Sequence, residues 1–103
     1  MKLVRDNIPQ VIAESGEWCL CRSATSKEEI HEWLVKKIHE EVQEFIENPS
    51  YEEAADIIEC VKAFCTLSNL AFDIALETAV HKKNEMGGFD KGIILEKVGK
   101  END

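Results

Sequence analysis

Residues 26–67 read SKEEIHEWLVKKIHEEVQEFIENPSYEEAADIIECVKAFCTL, and this stretch decides the fold. Ser26 followed three residues later by Glu29 is a capping box, the reciprocal side-chain and backbone pairing that opens a helix. Ile30, Trp33, Leu34, Ile38, Val42, Phe45 and Ile46 then recur at helical spacing until Asn48-Pro49 ends the run, because proline lacks the N–H a helix interior needs. Ser50 and Glu53 repeat the capping box at once, so a second helix starts after a very short turn and must lie antiparallel to the first. From Tyr51 to about Leu67 that second helix is apolar around nearly its whole circumference, which predicts a central position.

Working outward, Phe72, Ala75, Leu76, Ala79 and Val80 define the inner face of a third long helix that stops at Gly87-Gly88. Upstream, Ile8-Pro9 begins a shorter helix through Glu14, with Gly16 as its stop. Trp18 to Arg22 and Ile93 to Val98 fit strand or loop equally well, and the tail from Gly99 to Asp103 is expected to fray. The expected architecture is all-α, an antiparallel helical bundle in one domain spanning residues 1–103.

Composition narrows the function classes. A net charge of −9 argues against nucleic-acid or membrane-surface partners, which carry negative charge themselves. No stretch approaches the roughly 20 apolar residues that cross a bilayer, and no signal-peptide core precedes the first helix, so a soluble, cytoplasmic protein is expected. The four cysteines, Cys19, Cys21, Cys60 and Cys65, read as reduced thiols packed as small apolar groups. Cys60 and Cys65 point roughly 140° apart on a helix, so they do not share an ion.

The acids are placed less ordinarily. At about 100° per residue, Glu41 falls between Ile30 and Leu34, and Glu44 between Trp33 and Ile30, inside the apolar arc, with Glu40 at its edge. Glu53 and Asp56 share the inward face of the next helix with Cys60, Phe64 and Leu67. Neighbouring buried carboxylates repel and cost several kcal/mol each, so a structure that tolerates four of them needs cations among them. Magnesium, with manganese as its substitute, takes oxygen ligands from a few carboxylates together with substrate phosphates. Water attacking a phosphoanhydride suits such a site, with one carboxylate as general base.

Each acid also has an ordinary explanation. Glu53 is the third residue of a capping box, Glu41 stands four residues after Lys37, and Glu40 and Glu44 are within reach of lysines one turn away. Convergence of all four, rather than any member, carries the metal reading. His31, His39 and His81 read as surface or partly packed residues. The single Glu28-x-x-His31 lacks the second copy that a di-iron bundle requires. Lys83 sits near the centre of the third helix's apolar face, where it either reaches a phosphate or extends its stem to solvent.

Glu40-Glu41-Val42-Gln43-Glu44 followed by Glu53-Ala54-Ala55-Asp56 resembles the E-E-x-x-E … E-x-x-D signature of the MazG-like, all-α nucleotide pyrophosphohydrolases. Lys2-Leu3-Val4-Arg5-Asp6-Asn7-Ile8-Pro9 resembles the KLVRDKIP opening of their phosphoribosyl-ATP-pyrophosphohydrolase-like members. Gly87-Gly88-Phe89 resembles the E-R-G-G-F segment that closes their last helix. The resemblance implies a helical homodimer or homotetramer that needs magnesium or manganese and hydrolyses a nucleoside triphosphate to monophosphate and pyrophosphate. It implies Glu41, Glu44, Glu53 and Asp56 as metal ligands, Glu40 assisting a metal or activating water alongside Glu41, and Arg5, Asp6, Lys82 and Lys83 in substrate or subunit contacts. Met86 stands where the subgroup has Arg and Asn7 where it has Lys, so two positive groups are missing. Two alternatives stay open: a phosphoribosyl-ATP pyrophosphohydrolase of histidine synthesis, and a non-catalytic helical assembly or nucleotide sensor.

Overall fold

The structure is a computed structural model and describes residues 1–100; the remainder of the expected fraying tail, residues 101–103, lies outside the described residues. Four helices form in order: α1 (Ile8–Glu14), α2 (Lys27–Glu47), α3 (Tyr51–Leu67) and α4 (Phe72–Met86). No strand occurs among the described residues, and the segments Trp18 to Arg22 and Ile93 to Val98 have no regular structure. None of the helices is long and apolar enough to cross a membrane.

The helix ends follow from their sequences. Ser26 and Ser50 have extended backbones, and their hydroxyls accept from the N–H groups of Glu29 and Glu53, both at 3.1 Å. Each bond satisfies one of the four donors that a helix start leaves unpaired. α3 closes on Asn69, whose φ of 59° is the one left-handed position that a non-glycine residue holds among the described residues. The Leu70 N–H reaches back to the Cys65 carbonyl at 2.7 Å and the Asn69 N–H to that of Thr66 at 3.2 Å, so the last turn keeps its acceptors paired.

The chain divides into two compact units, the first ending at Phe72 and the second beginning at Asp73. In the first, α2 and α3 pack against each other as the antiparallel pair their short turn requires. Leu34, Cys60 and Cys65 are its buried apolar residues, Ile30, Ile38, Phe45, Ile57 and Phe64 are half-buried, and the Phe64 ring meets His31 edge-on at 5.8 Å. α3 is therefore not enclosed on all sides as its composition predicts: Ile58 is 55% exposed. In the second unit, α4 carries no buried residue, and Leu76 and Val80 on its expected inner face are exposed. Hydrophobic periodicity shows which face of a helix is apolar, but it does not say what covers that face.

The cysteines separate into two kinds. Cys60 and Cys65 are buried free thiols, as expected for small apolar groups, whereas Cys19 and Cys21 are exposed. The expectation of packing fails for the second pair because no helix passes through their segment to turn them toward a core.

Candidate metal centre

Glu41 projects from the middle of α2 on the same stripe as Leu34, one residue in seven. It is the only charged residue buried among those described, at 5% exposure. Its Oε1 lies 3.2 Å from the Lys37 ammonium one turn earlier, while its Oε2 is buried and accepts no hydrogen bond. Glu53 enters from the first turn of α3. Its backbone N–H is held by Ser50, but its carboxylate does not close the capping box, and its Oε2 is also buried without a partner. Asp56 follows one turn later, and one oxygen from each of Glu41, Glu53 and Asp56 lies within 4.8 Å of the others.

The contrast with Glu29, the equivalent residue of α2, shows that capping does not explain Glu53. The Glu29 carboxylate accepts from the Thr25 N–H at 2.8 Å and from both terminal nitrogens of Arg22 at 2.9 and 2.6 Å, which holds it well below the usual carboxylate range. Loss of water around Glu53, followed by the charges and hydrogen bonding of Glu44 and Glu41, pushes its carboxyl above the usual range. One acid of the pair of capping boxes is paired and stabilised as an anion; the other faces its own kind.

The remaining expected residues are placed as follows. Glu44 is half-buried and acts on Glu53 electrostatically, but it does not join the three mutually close oxygens. Glu40 is exposed and outside the cluster. Arg5 donates to Asp56 Oδ1 at 2.7 Å, so it pairs with one of the clustered acids. Asp6 is exposed, as are Lys82 and Lys83 on α4 in the second unit; Lys83 is not enclosed by the apolar face on which its spacing puts it.

Buried oxygens with unused lone pairs, held close by two helices and carrying excess negative charge, fit a hard divalent cation that takes oxygen ligands. Glu41 and Glu53 meet that requirement directly, Asp56 adds a nearby oxygen that is half-buried and already paired with Arg5, and Glu44 is close enough to contribute charge.

A groove of about 880 Å³ occupies the first unit, which sequence reasoning missed. Leu3, Val4, Ile30, Leu34, Ala63 and Leu67 form its apolar floor, and Arg5, Arg22, Lys27 and Lys62 line it with charge. Four of the twelve basic residues line it against two of the twenty-one acids, Asp6 and Glu59; Arg5 and Arg22 are paired with Asp56 and Glu29 outside the lining, so the groove is less acidic than the chain as a whole. Along α2 it begins at Leu34, two turns or about 10 Å from Glu41, and runs to Lys27. The signal was present in the spacing: Lys27, Leu34 and Glu41 recur every seven residues on one stripe.

Comparison with known proteins finds no matching family model, no matching curated protein and no matching solved structure.

Proposed function

We propose that this chain is a metal-dependent nucleotide pyrophosphohydrolase that cleaves a nucleoside triphosphate between its α- and β-phosphates, of the MazG-like all-α type, acting as a homodimer or homotetramer. The observation that carries the reading is the pair of buried, partnerless oxygens on Glu41 and Glu53 beside Asp56. Glu41, Glu53 and Asp56 hold magnesium or manganese in this proposal, with Glu44 adding charge. The ion supplies neutralisation of the phosphoanhydride oxygens as charge develops on them.

The chain's own residues account for the rest. Lys37 pairs with Glu41 one turn away and orients its carboxylate within α2. Arg5, at the junction of cluster and groove, is placed to hold a phosphate when it turns from Asp56. Glu40, exposed on α2 next to Glu41 in the chain, is the candidate to accept a proton from attacking water. The groove receives the nucleoside on its aliphatic floor, which has no aromatic ring to stack a base.

A second reading, a phosphoribosyl-ATP pyrophosphohydrolase, draws support from the far end of the groove. Lys27 lies there, about four turns of α2 from Glu41, and suits a second phosphate on an extended nucleotide, while Arg22 beside it is held by Glu29. Pyrophosphate release from canonical and modified nucleoside triphosphates and from phosphoribosyl-ATP, with magnesium, manganese or chelator, tests both. Metal-dependent release of monophosphate and pyrophosphate supports the enzyme, and the preferred substrate separates the readings. Silence from folded, metal-binding protein rejects both in favour of a binding role.

A further inference from the structure

We infer that Cys19 and Cys21 are a redox-active dithiol, which a hydroperoxide converts to an intrachain disulfide and a small thiol reductant restores. The two residues are exposed, and the Cys21 thiol donates to the Cys19 sulfur at 3.6 Å, so the sulfurs are already in contact. Between Glu17 and Ile30, no backbone-to-backbone hydrogen bond holds residues 18–24 among the described residues, so closing the sulfurs to bonding distance breaks no helix or strand. Loss of a proton from either thiol leaves a nucleophilic sulfur in contact with the other.

A closed metal site is the competing use of two thiols. A structural zinc site needs four ligands, and the one group of three or more candidate ligands among the described residues is Glu41, Glu53 and Asp56. With no third ligand beside Cys19 and Cys21, thiol oxidation is the chemistry their arrangement supports.

The reaction balances in two steps. One thiolate attacks an oxygen of the hydroperoxide, forming an S–O bond and breaking the O–O bond; the leaving alkoxide or hydroxide takes up a proton. The second sulfur then attacks the sulfenic sulfur, forming the S–S bond and expelling water. The two sulfurs lose two electrons in total and the hydroperoxide gains them. A disulfide across a single residue is strained and exposed, so thiol reductants reverse it readily. Cys21 also lines the groove, and the disulfide draws its sulfur toward Cys19 and changes that wall.

The test is brief exposure of the full chain to hydrogen peroxide, then alkylation under denaturing conditions and tryptic mapping. The expected result is a fall from four alkylated thiols to two, with the peptide spanning residues 6–22 lighter by two hydrogens and linked to no other peptide; dithiothreitol restores all four. In Cys21→Ser the same peptide instead gains oxygen. Unchanged alkylation, oxygen gained by the wild-type peptide, or a link to Cys60, Cys65 or a second chain would each overturn the inference. None of these readouts depends on nucleotide hydrolysis.

Discussion

At Glu53 and Glu29 the same local motif produces opposite electrostatics, and pH separates them. Glu29 is lowered by Arg22, so its contribution to stability is present above pH 4.5, its ordinary value, and is lost as pH falls through its lowered value. Glu53 is raised, so its contribution is fully present below pH 4.5 and is lost as pH rises through its raised value. Thermal melts of metal-free protein in chelator should therefore decline with pH above 4.5. Glu53→Gln should flatten that upper limb while leaving the acid limb in place. Lys37 gives a second prediction: Lys37→Met leaves Glu41 buried without its cation, at a cost of about 1–2 kcal/mol after allowance for partial exposure. Saturating magnesium should recover most of that loss in the melting temperature if the carboxylates hold the ion. In Glu41→Gln the magnesium-dependent shift itself should disappear, where wild type at a hundredfold excess over Kd gains about 2.7 kcal/mol.

The elements were the most legible level. Serine caps, the Pro49 break and glycines after Glu14 and Met86 are local signals, and α2 and α3 begin, and α1, α2 and α4 end, where they direct. Ser26→Ala and Ser50→Ala should each cost about 1 kcal/mol in urea denaturation, since each leaves a helix-start N–H without its protein acceptor. The inward acids were legible for the same reason, because the helical wheel needs only spacing. The Arg5–Asp56 pair was not: it joins residues 51 apart in sequence, and no periodicity encodes which arginine reaches which carboxylate. The groove was legible only in part: Lys27 shares the stripe of Leu34 and Glu41, but Arg5, Arg22 and Lys62 reach it from segments whose approach no spacing encodes. The contact between Cys19 and Cys21 arises in a segment without hydrogen-bonded repeats, where spacing does not determine side-chain direction.

For the molecule as a whole, the uncovered apolar residues favour self-association. Val42 and Ile46 on α2 and Ile58 and Val61 on α3 fall to one side of the antiparallel pair by their wheel positions, and all four are exposed. A second copy is the natural cover for such a face, consistent with the proposed homodimer or homotetramer. Sedimentation velocity should show the oligomer at micromolar concentration, and Ile46→Glu combined with Ile58→Glu should shift it to monomer by placing charge at a dry interface. The net charge of −9 disfavours close approach of two copies in general, so raising the salt concentration should strengthen the assembly.

The clustered acids have a consequence for the chain while it folds. Glu41, Glu53 and Asp56 lie within sixteen consecutive residues, on two helices joined by Asn48, Pro49 and Ser50. Contacts so close in sequence form fast, because little chain must be ordered to close them. The cluster can therefore assemble in the α2–α3 pair without waiting for α4 to settle, and magnesium supplied at that stage would act on the order of folding as well as on the finished protein.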